Sequence, residues 1–538
     1  MRLSIWIFVL SFLIKLTTSE LYTALVDLKE VLHTESVLIN TLDQYIQAEQ
    51  KKLELLRKYL EVYNRQHTEA SDDVEGYVAN PINAYLLIKR LTTDWHQVES
   101  LMNMNIGHDY LRNISSFREY LKFPTDEDLN GAAVALTRLQ DTYNLDTAAL
   151  ARGELNGIKY SSELTAADCF ELGRQSYNNG DFYHTQLWMR EADARLSSEA
   201  NKTVEESDIL EYLAFSTYKQ GNLPLALDLT NKLLEIFPAH PRALGNKGYY
   251  EEELQKLNAL KIKGDDESHD IPLNDEPMVP KPQVPERELY EQLCRGEVKT
   301  DITITSQLSC YYINNNNPFL LIAPFKVEEA FPEPKILIFH DVMTDTEIET
   351  IKKMAKPRFK RATVQNYKTG ELETAQYRIS KSAWLKEQED KHINDVCRRV
   401  RDMTGLTVET AEELQVVNYG IGGHYEPHFD FARKEETNAF KSLGTGNRIA
   451  TVLFYMSDVA QGGATVFPNI KAAVWPKKGT AAFWYNLHPS GEGDYNTRHA
   501  ACPVLAGSKW VSNKWIHEKG QEFLRPCGLE RAPPELTA

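Results

Sequence analysis

Residues 424–431 read His424-Tyr425-Glu426-Pro427-His428-Phe429-Asp430-Phe431, and Arg498-His499 follows further on. Alternate side chains of a strand share a face, so an extended segment sets His428 beside Asp430, with Phe429 and Phe431 behind them. An imidazole and a carboxylate side by side on apolar backing suit a metal. His499, in a later β segment, is the candidate third donor. Two histidines and one carboxylate on one side of an ion leave the opposite positions open, the arrangement of non-haem iron(II) oxygenases. Alone, the His-x-Asp spacing is common in unrelated chains. His424, Glu426 and His428 also share one parity and could be read as a zinc site. Pro427, Gly420, Gly422 and Gly423 argue against the helix that a zinc-protease histidine pair requires.

The next segment strengthens the iron reading. From Lys509 the alternation places Lys509, Val511, Asn513, Trp515 and His517 on one face, with Ser512 and Lys514 on the other. A cation, an indole and an imidazole then face the side where a metal would lie. An oxo acid chelating iron needs a fixed positive partner for its far carboxylate, and lysine supplies a point charge. Flanked by Trp510 and Val511, Lys509 is expected to be partly buried, where an ammonium ordinarily has an anion partner. Short β runs surround these residues, at 336–339, 414–419, 449–456, 480–485 and 509–517. One helix intervenes at about 345–354, opened by the capping pair Thr344 and Glu347. Many short strands with glycine turns predict a β-sandwich or jelly roll with flanking helices over residues 291–538.

Toward the N-terminus, the acidic stretch Gly264-Asp265-Asp266-Glu267-Ser268 and Pro272, Pro277, Pro280, Pro282 and Pro285 predict an extended linker over 257–290. Residues 161–256 read as helical hairpins. Helices at 169–177 and 182–196 flank a turn at Gly180; helices at 210–219 and 225–237 flank a turn at Gly221 and stop at Pro238. Tyr218, Gly221, Ala226 and Pro238 fit the tetratricopeptide pattern, whose stacked helix pairs leave a groove for an extended peptide. The many tyrosines here are mostly packing residues by precedent, yet their density suggests a surface for proline rings.

Residues 20–160 read as a helical coiled-coil dimerisation domain, with a heptad repeat from Leu25 to Tyr63. Its a positions are Leu25, Leu32, Ile39, Ile46, Leu53 and Leu60, and its d positions are Leu28, Glu35, Leu42, Glu49, Leu56 and Tyr63. This predicts a coiled-coil dimerisation seam to a second copy of the chain; the alternative is one amphipathic helix of a bundle. Asn80-Pro81 interrupts the pattern, and 85–104 could fold back on the first helix.

Arg2, the apolar run 3–14 and Thr17, Thr18 and Ser19 read as a secretory signal peptide over 1–19. The run is too short to span a bilayer comfortably, and no second one follows, so no membrane span is expected. The last residues, Pro534-Glu535-Leu536-Thr537-Ala538, are not Lys-Asp-Glu-Leu, so retention in the endoplasmic reticulum would come from elsewhere. The 538 residues, 42% hydrophobic and 25% charged, fit a globular chain of three or four domains. A net charge of -17 excludes a general attraction to nucleic acid. An oxidising compartment favours disulfides. Spacing favours Cys294 with Cys310 and Cys502 with Cys527, without deciding connectivity, and Cys169 reads as a buried thiol. Asn113 and Asn201 head glycosylation sequons.

Taken together, Tyr419-Gly420-x-Gly422-Gly423, Tyr425 through Asp430, Gly446-Asn447-Arg448-Ile449-Ala450-Thr451, Gly462-Gly463-Ala464-Thr465-x-Phe467-Pro468, Arg498-His499 and the run from Lys509 to Trp515 and His517 closely resemble the catalytic α subunits of collagen prolyl 4-hydroxylases. The resemblance covers nearly the whole chain. It implies a double-stranded β-helix that uses Fe(II), 2-oxoglutarate, O2 and L-ascorbate. It implies His428, Asp430 and His499 as iron ligands and Lys509 on the distal carboxylate of 2-oxoglutarate. His517 would assist at the metal-chelating end, and Tyr419 would touch the oxo acid. Tyr425, Arg448 and Trp515 would line the peptidyl-proline site, and Tyr212, Arg242, Asn246 and Tyr249 would contact peptide in the groove. Phe215 and Glu252 stand where tyrosines are expected. The resemblance supports the two disulfides above. It further implies a complex of two catalytic chains with two chains of protein disulfide isomerase, in the endoplasmic reticulum lumen, acting on procollagen or proline-rich peptides. Two other readings stand beside it: a same-fold oxygenase for non-collagen prolyl or lysyl targets, and a binding scaffold with a dead catalytic domain. The intact His428, Asp430, His499 and Lys509 argue against the scaffold.

Overall fold

The computed structural model describes residues 21–262, 285–365, 372–436 and 439–529. The expected signal peptide and most of the expected linker lie outside the described residues. The chain divides into two compact units, Asp27–Thr125 and the remainder. No helix of the described residues is long and apolar enough to cross a membrane.

The smaller unit is a helix with its own return. Helix α1 (Leu25–Asp72) is followed by α2 (Pro81–Lys89), α3 (Trp95–Asn103) and α4 (Gly107–Tyr120). Asn80 caps α2 through its side chain, and Pro81 occupies the first turn, where a missing N–H costs nothing. The return runs antiparallel to α1. Tyr63 stacks on Trp95 at 5.8 Å, Lys52 Nζ donates to Met104 O at 2.7 Å, Tyr45 meets Tyr110 at 5.6 Å, and Lys122 Nζ pairs with Asp27 Oδ1 at 2.6 Å. The stripe of α1 used in this packing is therefore Tyr45, Lys52 and Tyr63. The heptad residues Leu32, Ile39, Leu42, Ile46, Leu53 and Leu60 are 66, 61, 58, 45, 52 and 58% exposed, so among the described residues the chain's own helices leave these six uncovered, while Leu25, Leu28, Leu56 and Tyr63 of the seam are half-buried.

The larger unit begins with α5 (Asp126–Tyr143), expected with the coiled coil but packed here instead. Its Leu139 and Tyr143 share a core with Tyr290, Leu293, Val466 and Cys502. Its Gln140 Oε1 accepts from Trp188 Nε1 at 2.9 Å. The hairpins follow: α6 (Ala166–Asn178), α7 (Phe182–Leu196), α8 (Glu206–Lys219), α9 (Leu223–Ile236) and α10 (Pro241–Ile262). Gly180 and Gly221 occupy equivalent turns with φ of 76° and 89°, which only glycine adopts freely. Cys169, Trp188, Met189, Leu213 and Leu233 fill the core between the hairpins. The linker is shorter than expected at both ends. Helix α10 continues through Ile262, and α11 (Pro285–Arg295) opens on a proline that suits a helix start.

Strands β1 (Cys310–Ile313), β2 (Phe325–Phe331) and β3 (Ile336–His340) lead to α12 (Asp345–Ala355), opened by the expected Thr344–Glu347 capping box. Strand β4 (Lys381–Leu385) and helix α13 (Lys391–Thr404) follow. Helix α13 adds to the single helix expected. Its buried Ile393, Val396, Cys397, Val400 and Met403 recur at helical spacing, and Gly405 ends it at φ 71°. The strands of the two main sheets that follow are β5 (Leu414–Asn418), β6 (Tyr425–His428), β7 (Arg448–Tyr455), β8 (Thr465–Phe467), β9 (Ala472–Val474), β10 (Ala481–Tyr485), β11 (His499–Ala501) and β12 (Trp510–His517).

They form a jelly roll. A nine-stranded sheet runs β1-β2-β3-β10-β7-β12-β5-β4 and ends on the short strand Lys360–Arg361; a four-stranded sheet runs β6-β11-β8-β9. Phe467 and Val474 of the small sheet pack with Val417, Leu453, Tyr455, Trp484 and Val511 of the large one. The other face of the large sheet packs Val416, Val452 and Phe454 on Ile351, Val396 and Val400 of α12 and α13. Both faces of β7 are covered, so it reads as a continuous apolar run rather than an alternation.

The cysteine pairing corrects the expectation. Cys294 of α11 bonds Cys502, next to β11, with Cα atoms 5.5 Å apart. Cys310 and Cys527 are free and exposed, and Cys169 and Cys397 are free and buried. Nearness in sequence favoured short loops, but a disulfide requires Cα atoms within about 7 Å. The shared core of Leu293, Cys294, Val466 and Cys502 brings together residues 208 apart.

Candidate metal centre

Strands β6 and β11 pair antiparallel with His428 opposite His499, and the chain turns after His428 to bring Asp430 in beside them. One donor atom from each of the three lies within 4.8 Å of the others. Asp430 Oδ1 is 3.8 Å from His428 Nε2, and Oδ2 is 3.6 Å from His499 Nε2. His428 Nδ1–H donates to Glu426 O at 2.8 Å, and His499 Nδ1–H donates to Thr497 O at 2.9 Å. Each backbone carbonyl fixes the tautomer, so both Nε2 lone pairs face the carboxylate and are free for a metal.

Electrostatics agree. Burial, and then the neighbouring His499, push His428 well below the usual imidazole range, which keeps it neutral. Burial pushes Asp430 up, but His499, His428, Arg448 and the Thr451 hydroxyl together outweigh it and hold the carboxyl at about 2. A buried carboxylate and two imidazole Nε2 atoms turned toward it make a donor set that fits a divalent iron with open positions.

The adjoining pocket is lined by Tyr419, Leu453, Thr465, Trp484, Lys509 and Asn513, among others. Lys509 is 1% exposed, and burial alone pushes its ammonium down to about 7, with no acidic side chain acting against it. Its Nζ lies 5.0 Å over the Tyr419 ring. Tyr419 is held from the backbone, its N–H donating to Lys509 O at 3.2 Å. The glycine after it is required by space, since a Cβ on Gly420 would collide with the Tyr22 carbonyl. A buried cation without an acid, beside two imidazoles and a carboxylate, fits a dicarboxylate that spans both.

Residues 24–157 match the family described as "Prolyl 4-Hydroxylase alpha-subunit, N-terminal region", and residues 166–256 match "Prolyl 4-hydroxylase peptide-substrate-binding domain". Residues 414–517, which hold the whole donor set, match the "2OG-Fe(II) oxygenase superfamily". The chain is 52% identical over 511 residues to human prolyl 4-hydroxylase subunit alpha-1, covering 94% of this chain and 95% of that one. It belongs to the prolyl 4-hydroxylase alpha-subunit family. It is also 53% identical over 523 residues to prolyl 4-hydroxylase subunit alpha-2 of Caenorhabditis elegans, covering 97% of this chain and 95% of that one. It is accordingly a prolyl 4-hydroxylase of the iron(II)/2-oxoglutarate oxygenase class, and the donor set and Lys509 have the chemistry that class needs.

The other expected residues of this prolyl 4-hydroxylase subunit separate into groups. Tyr425 stacks on His428 at 3.5 Å and carries the Arg378 guanidinium 4.7 Å over its ring. Arg448 pairs with Glu412, Nε to Oε1 at 2.6 Å, and lies 3.8 Å over Trp515, which lines the pocket. His517 is not at the chelating end. Its Nε2 meets Glu412 Oε1 at 3.0 Å and its Nδ1 meets Gly446 O at 2.8 Å, and it does not line the pocket. Lys509 immediately precedes β12 and His517 ends it, roughly 26 Å apart at the rise of a strand, too far for one small oxo acid.

In the hairpin domain of this prolyl 4-hydroxylase subunit, Tyr212 meets Tyr177 at 4.9 Å and Phe170 at 5.6 Å. Phe215 extends the row to Tyr218, whose hydroxyl donates to Tyr249 at 3.2 Å. Arg242 Nε pairs with Glu211 Oε1 at 2.6 Å, and Asn246 is half-buried on the same helix as Tyr249. Glu252 is exposed and paired with Lys256 at 2.8 Å. Asn113 on α4 and Asn201 in the loop after α7 are both exposed. The sequence reading missed Arg378, Glu412, Thr451 and Asn486. Thr451 ended a quoted motif and could have been found; the other three had no local signal.

Proposed function

We propose that this subunit hydroxylates C4 of prolines in procollagen-like peptides, with L-ascorbate keeping the iron reduced. The observation that carries it is Lys509, a buried amine with no acidic side chain set against its burial among the described residues, in one pocket with His428, Asp430 and His499. His428, Asp430 and His499 would hold Fe(II). Iron with 2-oxoglutarate and O2, when bound, supplies the oxidation of a C–H bond coupled to decarboxylation of the oxo acid.

The chain's residues do the rest. Lys509 holds the distal carboxylate and so fixes the length and orientation of the oxo acid. Trp484 and Leu453 wall the pocket against water. Tyr425, Arg448 and Trp515 present an aromatic and cationic rim that suits a proline ring and its flanking carbonyls. The tyrosine row from Tyr177 to Tyr249 suits a long polyproline-type helix, which argues for extended collagen-like substrates over short isolated prolyl or lysyl sites. The relatives are named as alpha subunits. A partner of the protein disulfide isomerase type would complete the complex, and the uncovered heptad face of α1 suits a second copy of this chain. The apolar N-terminal run supports entry into the endoplasmic reticulum, and a retention signal on the partner would keep the complex in its lumen.

The test is succinate formation from 2-oxoglutarate with a (Pro-Pro-Gly)n peptide, by full-length chain co-produced with the isomerase. Turnover coupled to 4-hydroxyproline supports the reading. Turnover only with lysyl or non-collagen peptides would replace it.

A further inference from the structure

Behind the donor set lies a buried chain of polar contacts running from Asp430 through Thr451 to Asn486. Thr451 stands in the middle of β7, opposite Trp484 on β10 and Trp515 on β12, and is 1% exposed. Its Oγ1–H donates to Asp430 Oδ2 at 2.7 Å, and it accepts from Asn486 Nδ2–H at 2.9 Å. Asn486 is fully buried and held at both backbone ends, its N–H donating to Ile449 O and its carbonyl accepting from Asp494 N–H, each at 2.8 Å.

A hydroxyl has one proton to give, and its direction is set by its neighbours. An amide nitrogen can only donate, so Asn486 leaves that proton no acceptor except Asp430. The orientation of the amide is not free of cost. Asn486 Oδ1 is buried and has no hydrogen-bond partner among the described residues, and a buried unpaired carbonyl is unfavourable. Turning the amide over would aim Oδ1 at Thr451. The hydroxyl would then have two acceptors to choose between, and Asp430 could lose its donor.

We propose that Thr451, oriented by Asn486, is the positioning residue that occupies Oδ2 of Asp430 and so holds this carboxylate to one donor atom for the iron. A carboxylate that chelated through both oxygens would take one of the positions a facial triad must leave open. Partners of this kind orient metal ligands and tune affinity. The inference rests on His428, Asp430 and His499 being the metal-binding set.

The test uses the full-length chain, stripped of iron, titrated with Co(II) by absorption spectroscopy and by calorimetry. Wild type and Asp430→Ala establish the metal set; equal Co(II) affinity in these two would sink that reading itself. With the set established, Thr451→Val should weaken Co(II) by about 10- to 100-fold and alter the Co(II) spectrum. Thr451→Ser should restore both, and Asn486→Asp, which accepts where the amide donated, should behave like Thr451→Val. Metal affinity within twofold of wild type in Thr451→Val overturns the proposal. Should that variant fail to fold, Asn486→Ala decides in the same way: weakened metal supports it, unchanged metal and spectrum overturn it.

Discussion

His428 and His499 are register partners across β6 and β11, with their rings 4.4 Å apart and each Nδ1 tied to a carbonyl two residues from its own position. The strand pairing itself therefore aims both Nε2 atoms. His428→Ala, Asp430→Ala and His499→Ala should each lower hydroxylation by at least about 100-fold while leaving the thermal transition in place. Asp430→Glu should also fail, since an added methylene displaces the carboxylate further than an ordered site tolerates. Iron content and 4-hydroxyproline yield check this, and near-wild-type turnover in any of the three would remove it from the set.

Lys509 supplies a pH dependence. Its free ammonium titrates at about 7 because of burial. Only the protonated form attracts a carboxylate, and a bound carboxylate raises the ammonium's pKa. Below pH 7 the affinity for 2-oxoglutarate should be flat with respect to this group. Above it, the dissociation constant should rise about tenfold per pH unit until the pKa of the complex is reached. Calorimetric titration from pH 6 to 9 measures this. Lys509→Ala should flatten the profile and raise the 2-oxoglutarate requirement far more than the peptide KM. Lys509→Arg should be partly active at best, the guanidinium being larger and differently shaped.

The exposed heptad face predicts an assembly effect without a folding effect. Ile39 and Ile46 are 61 and 45% exposed in the single chain, so Ile39→Asp with Ile46→Asp should leave its thermal transition nearly unchanged. A charge placed in an apolar coiled-coil seam is unfavourable, and the assembly should split into smaller units by sedimentation. Long proline-rich substrates should suffer more than short ones, because linked grooves bind with avidity. An unchanged assembly would place the contact between copies elsewhere.

Peptide mapping without reduction should recover a Cys294–Cys502 linked pair and leave Cys310 and Cys527 open to alkylation. Cys502→Ser should cost about 2–5 kcal/mol of stability. Recovery of Cys294 linked to Cys310 would restore the pairing that spacing favoured.

Local rules made much of the chain legible in advance. The strands at β3, β5, β7, β10 and β12, the Thr344–Glu347 cap and the turns at Gly180 and Gly221 all follow from patterns within a few residues. The alternation from Lys509 to Trp515 held because a strand imposes it regardless of what surrounds it. It failed at His517 because alternation specifies a face and says nothing of distance along it. Helix α13 was equally local in its spacing and was passed over because its polar residues outnumber the apolar ones between them.

The sequence by itself determined the donor types and the family to which the chain belongs, since these are properties of short segments and of their order; Asp430 lies past the end of β6, so a turn and not strand alternation sets it beside His428. Tertiary structure alone decided what depends on distant segments meeting. It joined Cys294 to Cys502, moved α5 from the coiled coil into the core of the larger unit, and turned α1 so that its heptad face stays uncovered. It also set Asn486 behind Thr451 and Thr451 behind Asp430. No local pattern encodes such contacts: each is fixed by the packing of sheets and helices whose residues are far apart along the chain.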